Sequence, residues 1–596
     1  MMSAAYLLDA AVFVVLQLGS LAVIALSAWV FGETALDRLG LDEPAERRAL
    51  ATALGLGMIA QALFFLGLAG LLERPLVLAL LALGHLPCRG VWRRLLSGLR
   101  WRLAAPALLV APSAALALYP PTGFDATVYH LPYVEAFIAA GRLTFAADLV
   151  FPVFPQAVEM GFVLAFFLGG EAAAQLTQVL SLGLVAALAA AWGRQLFSAR
   201  AGRFAAALWL GTPLAVWIAG MAYVDLGLTL YVTAAFYCWE RWRRGGDRRW
   251  LALAGVFAGL AAGTKYLGLF FCGALFTLTA VRVAAFRAGR PWRPLAAFAV
   301  AAAVVLAPWY ARIVYHTGNP VFPFYPAIFG AGEWTPPRAP TSTTATTLAS
   351  RAVDGLGFLV RVPWTAVFDR EVFHFQAPLT PFYLVLIPLC APRVLGRAAA
   401  RRLLLLAGVY GLFWLTMVRD VRFLLPAMPA LNVALAGGLD LWTRRWRHRV
   451  AVAGIAAVLA APGLLYGVYK VWERGSLPVT ADARADYLSA ALPGYDAVRW
   501  LNENAGDEYT VYAFGERLRY YADGRFLGNW LGPASFHRVS ASLGSGRALH
   551  AKLRELGACY FLAPDAWPLP DDAFFAERFR VRWRGSGFTV YETCDP

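Results

Sequence analysis

The sequence predicts a mainly α-helical membrane protein, with a polytopic bundle of about 12–14 transmembrane helices and an extracytoplasmic α/β domain at the C-terminal end. The 596 residues are 60% hydrophobic and only 15% charged, whereas soluble domains carry about 25% charged residues. Apolar runs long enough to cross a hydrocarbon core, about 20 residues, recur along the chain. The runs are continuous rather than alternating, which favours helices over a transmembrane barrel.

The predicted membrane helices follow one another from the first residues to residue 468. The first run, Leu7–Phe31, lacks basic residues before it and a small-residue cleavage site, so we interpret it as a retained helix. The runs lie near residues 8–31, 50–71, 75–88, 103–118, 172–193, 204–220, 226–239, 251–263, 267–281, 295–308, 380–392, 403–418, 423–441 and 450–468.

The loops between these helices alternate in charge. Pairs such as Arg93 and Arg94, or Arg243 and Arg244, mark one set, whereas the long loops 119–158 and 309–378 carry few basic residues. Because arginine-rich loops stay in the cytoplasm, both long loops and the C-terminal domain are expected to face outward. The net charge of +16 therefore reflects topology, and no nucleic-acid partner is expected.

Three domains are predicted: additional transmembrane helices at 1–102, a transmembrane catalytic core at 103–470, and a soluble extracytoplasmic α/β domain at 471–596. The soluble domain has an amphipathic stretch at Ala548–Leu556 and a hairpin from Arg578–Arg584 to Phe588–Glu592. Its cysteines, Cys559 and Cys594, could pair if the domain is exported.

The first long external loop, from Tyr119 to Gly161, is the most informative segment. Asp125 follows the outer end of an apolar run, and a helix beginning there would group Tyr129, His130 and Tyr133 on one side. A carboxylate at the membrane interface is suited to proton abstraction. The alternative is a plain helix N-cap, and both roles are compatible.

Five segments together resemble the C-type (GT-C) membrane glycosyltransferases. The likeness is greatest to the branch with protein O-mannosyltransferases and the aminoarabinose transferases of lipopolysaccharide, and it spans roughly residues 100–440. No single motif is specific; their order and sidedness carry the resemblance. The segments are Asp125 with Tyr129 four residues later, Tyr223-Val224-Asp225, Gly263-Thr264-Lys265-Tyr266, Gly318-Asn319-Pro320-Val321-Phe322-Pro323, and Arg419-Asp420-Val421-Arg422-Phe423-Leu424-Leu425-Pro426.

The resemblance implies transfer of a sugar from a polyprenyl-phosphate carrier to an acceptor on the outer face, with inversion at the anomeric carbon. It also implies that Asp125 is the general base and that Lys265 contacts the donor phosphate. Arg312, Arg419 and Arg422 also fall at predicted outer helix ends, where they would stabilise the phosphate. The candidates for binding sugar or acceptor are Tyr129, His130, Glu159, Asp225 and Tyr266.

Each of these residues also has a simpler interpretation. Lys265 is one of only three lysines in the chain, yet it could snorkel from a hairpin turn to water. Arg312, Arg419 and Arg422 could be interfacial anchors. A lone histidine such as His130 is more often structural than catalytic.

The sequence also departs from the family pattern. Ala126 follows the aspartate where mannosyltransferases have a second acid, and Gln156 stands where some relatives have a basic residue or histidine. These differences leave the sugar and the acceptor (protein, lipid or glycan) open. Seven dispersed histidines and the lack of Asp-x-Asp in the external loops predict no metal and no cofactor beyond the lipid-linked sugar.

A different class, a transporter or flippase for a lipid-linked saccharide, also has many helices and intramembrane charges. Transporters often show internal repeats with binding sites at the midplane, and we find no such repeat here. A non-catalytic ligand-binding relative is a third possibility. The expected partners are the bilayer and the lipid-linked sugar, and the expected location is the bacterial inner (cytoplasmic) membrane.

Overall fold

The structure is a computed structural model, and it is mainly helical. It describes residues 4–41, 47–88, 90–92, 104–149, 151–285, 292–330, 355–369, 377–416, 420–444, 449–506, 508–514, 517–528 and 539–594.

Eighteen α-helices precede the C-terminal domain within these ranges. The first nine are α1 (Ala4–Arg38), α2 (Arg47–Leu68), α3 (Arg74–Gly84), α4 (Ala104–Leu116), α5 (Leu131–Ala140), α6 (Ala157–Leu196), α7 (Ala199–Leu210), α8 (Pro213–Ala219) and α9 (Asp225–Gly245). The others are α10 (Arg248–Thr264), α11 (Leu267–Ala285), α12 (Trp292–Thr317), α13 (Pro326–Phe329), α14 (Gly355–Phe368), α15 (Phe382–Val394), α16 (Ala398–Leu415), α17 (Met428–Thr443) and α18 (Arg449–Arg474).

Eight of the described helices are long and apolar enough to cross a membrane, and α7 with α8, bent by 65°, would form a ninth span. The larger predicted number, about 12–14, also counted α3, α4, α9, α10 and α15. These helices are shorter than 18 residues or, like α9, carry several charges. Every predicted apolar run nevertheless contains a helix, so the predicted fold class is confirmed.

The long helix α6 lies at the centre of the bundle, where it packs against α1, α2, α7 and α9. Its backbone breaks at Gly170, whose φ of 78° is in the region that favours glycine. The N-terminal helices α1 and α2 cross closely, since a Cβ on Gly32 or Gly55 would overlap a backbone carbonyl of the other helix. Small residues at such a crossing let two membrane helices pack tightly.

The two ends of the bundle differ in chemistry. Helix α9 begins at Asp225 and ends beyond Arg243, so these residues lie about 30 Å apart along its axis. At the Arg243 end, Glu240 pairs with Arg243 and Arg402, and Arg249 donates to the backbone oxygen of Leu39. We call this the arginine-rich end. Lys265 follows α10, which is antiparallel to α9 in the hairpin, and therefore lies at the other end.

A five-stranded sheet forms the centre of the C-terminal domain. Its strands are β1 (Thr510–Ala513), β2 (Arg525–Gly528), β3 (Tyr560–Pro564), β4 (Arg580–Gly585) and β5 (Phe588–Glu592), in the order β2-β1-β3-β5-β4. Strands β1, β2 and β3 are parallel, and β5 is antiparallel to β3 and β4. The predicted hairpin, the amphipathic helix and the Cys559–Cys594 disulfide are all present. The helices of the domain are α19 (Ala481–Ala491), α20 (Tyr495–Asn504), α21 (Gly546–Glu555) and α22 (Ala573–Arg578).

The C-terminal domain contacts the loop that carries Asp125. Tyr521 donates a hydrogen bond to the backbone oxygen of Pro121 (2.7 Å), and the guanidinium of Arg517 lies 5.2 Å from the Phe124 ring. Arg484 pairs with Glu171 just beyond the break in α6. The domain therefore lies at the end of the bundle opposite the arginine-rich end.

Candidate active site

Asp125 lies at the start of a single π-helical turn, Ala126–His130, that leads into α5. Its side chain makes no capping hydrogen bond, so the N-cap alternative does not describe it. Its backbone N–H donates to the hydroxyl of Tyr223 (3.3 Å), which ties the loop to the start of α9. Asp125 is only 3% exposed, and its carboxylate contacts groups from other segments of the chain.

Arg422 is the main partner of the Asp125 carboxylate. Its Nη1 lies 2.5 Å from Asp125 Oδ2 and 3.9 Å from Asp225 Oδ2. Asp420 caps the 3₁₀ turn Val421–Ala427 by accepting from the backbone of Arg422, and its carboxylate lies 2.7 Å from Arg422 Nε. The guanidinium is also flanked by the rings of Tyr223 and Phe423, at 5.0 and 5.1 Å.

Lys265 supplies a second cation to the same group of carboxylates. Its Nζ lies 3.1 Å from Asp225 Oδ1 and 4.4 Å from the centre of the Phe423 ring. Lys265 follows the C-terminus of α10, and Asp225 begins α9. Each charge therefore lies at the helix end whose dipole stabilises it. We call Asp125, Asp225, Asp420, Lys265 and Arg422 the charge cluster.

The charge cluster controls the protonation of Asp125. Burial alone would raise the pKa of this carboxyl, but the charges of Arg422, Lys265 and His130 and the hydrogen bond from Arg422 outweigh it and lower the pKa to about 2. Tyr129 hydrogen-bonds to Asp125, and burial together with that negative charge raises the Tyr129 pKa well above its usual value. Asp125 is therefore ionised, and Tyr129 is a neutral hydroxyl, at any physiological pH.

A second group of polar residues lies beside the charge cluster. Arg312 of α12 donates from Nη1 to Gln156 Oε1 (2.8 Å) and from Nη2 to the backbone oxygen of Thr144 (2.6 Å). His130 Nδ1 lies 2.8 Å from Glu159 Oε1, and both side chains are buried. We call His130, Tyr133, Gln156, Glu159, Tyr266 and Arg312 the polar chamber.

Aromatic rings link the polar chamber to the charge cluster. The Tyr129 ring lies 4.3 Å from that of His130 and 6.3 Å from that of Tyr133. The Phe154 ring meets that of Tyr266 edge-on at 5.4 Å. The two groups of residues therefore form one continuous polar and aromatic region next to Asp125.

The structure brings most of the predicted site residues together in these two groups. Lys265 and Arg422 contact carboxylates of the charge cluster, whereas Arg312 lies in the polar chamber. Arg419 lies outside the described residues. The sequence analysis did not select Asp420, Tyr133, Gln156 or Tyr223 as site residues. For Asp420, its position between Arg419 and Arg422 could have indicated a role in the site.

No three histidine, cysteine, aspartate or glutamate side chains in the described ranges are arranged to hold a metal ion. The charge cluster instead has two cations among three carboxylates. Such a site can bind an anion through the cations while a carboxylate accepts a proton.

Two family models match the chain. The model for dolichyl-phosphate-mannose-protein mannosyltransferase matches residues 152–310, which include Gln156, Glu159, Asp225 and Lys265. A second model, whose description names no activity, matches residues 483–592 of the C-terminal domain. No curated protein sequence matches the chain.

Several solved structures share the fold, and two of them illustrate the likeness. The apo structure of ArnT from Cupriavidus metallidurans is 17% identical, with a TM-score of 0.50, and the match covers 83% of this chain and 98% of that one. An oligosaccharyltransferase of Archaeoglobus fulgidus, in complex with Zn and sulfate, is 15% identical, with a TM-score of 0.52 and coverages of 82% and 73%. With the mannosyltransferase model, they confirm the resemblance to the C-type membrane glycosyltransferases.

Proposed function

We propose that this protein transfers a sugar from a polyprenyl-phosphate carrier to an acceptor at the outer face of the membrane. The ion pair between Arg422 and Asp125, joined to that between Lys265 and Asp225, carries the proposal. It combines cations for a phosphate with a carboxylate that can take a proton. The matching family model supports the donor class, since its description names a lipid-phosphate sugar.

In this proposal the donor phosphate binds Lys265 and Arg422. Both cations lie at helix ends, where the phosphate of a membrane-embedded lipid would be found. Negative charge builds on the phosphate as the bond to the sugar breaks, so these cations bind the transition state more strongly than the ground state.

Asp125 acts as the general base. It takes the proton of an acceptor hydroxyl or amine, and the acceptor's lone pair forms a bond to the anomeric carbon. The carbon–oxygen bond to the phosphate breaks, and its electron pair leaves with the polyprenyl phosphate. This single displacement inverts the anomeric configuration, and the proton on Asp125 then passes to solvent or to the departing phosphate.

Donor binding would also activate the base. In the free protein Arg422 and Lys265 hold the pKa of Asp125 at about 2, which makes the carboxylate a weak base. A phosphate that shares both cations adds negative charge and draws Arg422 away from Asp125. The pKa of Asp125 then rises, so the base strengthens only when the donor is bound.

The site faces outward in this proposal, with the multi-pass chain in the bacterial inner membrane. The arginine-rich end supports this orientation, since basic loops stay in the cytoplasm. The Cys559–Cys594 disulfide in the C-terminal domain also supports an oxidising compartment. We expect the proposed step to need neither a metal ion nor a cofactor.

The proposal is tested with purified protein in liposomes, given radiolabelled undecaprenyl-phosphate sugars and membrane extract. We expect transfer, or slow hydrolysis without acceptor, from at least one donor, with the opposite anomeric configuration in the product. Retention of configuration would contradict a single displacement by an activated acceptor. Lipid scrambling without any transfer would favour the flippase alternative, although the candidate charges lie at one end of the bundle rather than at its middle.

A further inference from the structure

Five polar atoms of the polar chamber are buried and have no hydrogen-bond partner among the described residues. We propose that they bind the hydroxyl groups of the donor sugar, and that the sugar they select is uncharged rather than an amino sugar. This inference rests on the proposed function and adds the sugar class to it. The atoms are His130 Nε2, Tyr133 Oη, Gln156 Nε2, Glu159 Oε2 and Tyr266 Oη.

Gln156 supplies the hydrogen-bond donors of this subsite. Its Oε1 accepts from Arg312, which fixes the orientation of the amide because a guanidinium can only donate. The amide nitrogen of Gln156, with two N–H groups, then points away from Arg312 and is left without an acceptor in the described part of the chain. The residue is fully buried, so a ligand that accepts hydrogen bonds would relieve an unfavourable burial.

Glu159, which is paired with His130, supplies a hydrogen-bond acceptor. His130 Nδ1 lies 2.8 Å from Glu159 Oε1, so the two side chains are hydrogen-bonded to each other. His130 Nε2 and Glu159 Oε2 are left without a partner among the described residues, and Glu159 Oε2 can accept a hydrogen bond. The two side chains are 3% and 2% exposed, so this pair too is costly unless a donor contacts it.

Tyr133 and Tyr266 complete the set with hydroxyls that can donate or accept. The Tyr133 ring stacks on that of Phe137 at 6.1 Å, and the Arg312 guanidinium lies 5.6 Å from the Phe137 ring. Glu159, Arg312 and Tyr266 all act electrostatically on Tyr133. Burial raises the pKa of Tyr133 well above its usual value, so its hydroxyl keeps its proton. Each hydroxyl of a sugar both donates and accepts, so a hydroxylated ring matches this mixture of donors and acceptors.

The position of the chamber favours the donor sugar as its ligand. His130 acts electrostatically on Asp125, and its ring lies 4.3 Å from that of Tyr129, which hydrogen-bonds to Asp125. A sugar bound here would therefore lie next to the proposed base, Asp125, which contacts the cation Arg422. The edge-on rings of Phe154 and Tyr266 supply the apolar contact that sugar faces make with aromatic side chains.

Arg312 determines which charge the sugar can carry. It is 6% exposed, and no carboxylate among the described residues lies within ion-pair distance of it. The only acid of the chamber, Glu159, is hydrogen-bonded to His130. An ammonium group on the sugar would meet the uncompensated charge of Arg312 in a buried site, where like charges repel strongly.

The inference is tested with full-length protein, undecaprenyl phosphate bearing mannose or 4-amino-4-deoxyarabinose, and bare undecaprenyl phosphate. Tyr133→Phe removes one unpartnered hydroxyl. Tyr310→Phe is the matched control, since the hydroxyl of this half-buried tyrosine donates to the backbone oxygen of Ala262. Gln156→Glu removes the N–H donors and places a carboxylate next to Arg312.

We expect Tyr133→Phe to raise the KM of the sugar-bearing donor by about tenfold while the Kd of bare undecaprenyl phosphate changes less than about twofold. Its melting temperature should not fall, because no hydrogen bond is lost. Tyr310→Phe should lower the melting temperature and leave the donor KM within about twofold. Gln156→Glu should shift the kcat/KM ratio toward the amino sugar by about tenfold or more.

An unchanged KM in Tyr133→Phe, or an equal loss of affinity for bare undecaprenyl phosphate, would overturn the sugar subsite. A wild-type preference for the amino sugar would overturn the role of Arg312. If the wild-type protein neither binds bare undecaprenyl phosphate nor transfers either sugar, the proposed function itself fails, and that result differs from all the others.

Discussion

Arg422 and Asp125 lie 297 positions apart in the chain, yet Arg422 Nη1 and Asp125 Oδ2 are 2.5 Å apart. The contact joins the loop after α4 to the 3₁₀ turn before α17. It pairs the candidate base with a candidate phosphate ligand. In the free protein the Arg422 guanidinium and the Asp125 carboxylate therefore pair with each other. A donor phosphate that binds Arg422 would separate them.

Replacement of Lys265 by methionine should weaken donor binding. Asp225 would lose its 3.1 Å partner, and the phosphate would lose one of two cations, so we expect the Kd for undecaprenyl phosphate to rise about tenfold or more. Lys470→Met is the control, because Lys470 pairs with Glu473 in α18 and is not part of the charge cluster. Fluorescence or calorimetric titration of both variants checks this. Equal effects of the two changes would contradict a role for Lys265 at the phosphate.

The pH dependence of the reaction should differ between the free protein, which kcat/KM reports, and the donor complex, which kcat reports. The folded pKa of Asp125, about 2, lies below the unfolded value of about 4. The stability that its ionisation contributes is therefore complete above about pH 4 and is lost only as pH falls toward 2. We expect kcat/KM to show no acid limb from Asp125 between about pH 5 and 8.

The kcat profile, which reports the donor complex, should show an acid limb at higher pH than kcat/KM does. This follows because the bound phosphate raises the Asp125 pKa. Rate profiles at saturating and limiting donor check both expectations. An acid limb in kcat/KM that moves in Asp125→Glu would contradict the low pKa in the free protein.

Glu135 should make the contact between α5 and the C-terminal domain pH-dependent. Burial raises its pKa to about 7; Arg519 opposes that shift, while Glu171 and Asp523 add to it. Because the folded pKa lies above the unfolded value, the contribution to stability is fully present below about pH 4.5 and is lost as pH rises through 7. Glu135→Gln should therefore stabilise the protein at pH 8, by about 1–3 kcal/mol, and change little at pH 5.

Melting temperatures of wild type and Glu135→Gln at the two pH values test this prediction. Glu503→Gln, at an exposed glutamate of the C-terminal domain, is the control and should change neither value by much. A Glu135→Gln variant that loses stability equally at both pH values would contradict a contribution from the titration of this carboxyl group.

Cysteine reporters test the orientation of the bundle. Asp571→Cys places a thiol on the exposed surface of the C-terminal domain, and Gly396→Cys places one between α15 and α16, at the predicted cytoplasmic side. We expect a membrane-impermeant maleimide to label only Asp571→Cys in intact spheroplasts. Permeabilised cells, in which both should react, are the control. Labelling of Gly396→Cys alone would show that the topology is the reverse of the expected one and that Asp125 faces the cytoplasm.

Local patterns in the sequence predicted the secondary structure well. Apolar runs located the helices, and Gly585-Ser586-Gly587 located the hairpin turn, in which Ser586 and Gly587 have positive φ values. These features depend on residues close together in the chain. The unusual lysine also marked Lys265 as a site candidate, because an ionisable group between apolar runs is costly.

The partners of the site residues could not be predicted in the same way. Gln156 meets Arg312 across 156 positions, and Asp420 matters because it lies against Arg422 at a turn whose position depends on how α16 and α17 pack. Such contacts follow from tertiary packing, which no local pattern encodes. The sequence therefore predicted the residue types of the site but not which residues pair.

The most direct test of the account compares donor binding and single-turnover transfer in wild type and Asp125→Asn. The account predicts that Asp125→Asn binds undecaprenyl phosphate at least as tightly, since Arg422 is released from its carboxylate partner. It also predicts that transfer falls by about a hundredfold or more, since general-base catalysis contributes factors of about 10²–10⁴. An Asp125→Asn protein that transfers sugar at the wild-type rate would contradict the assignment of Asp125 as the base.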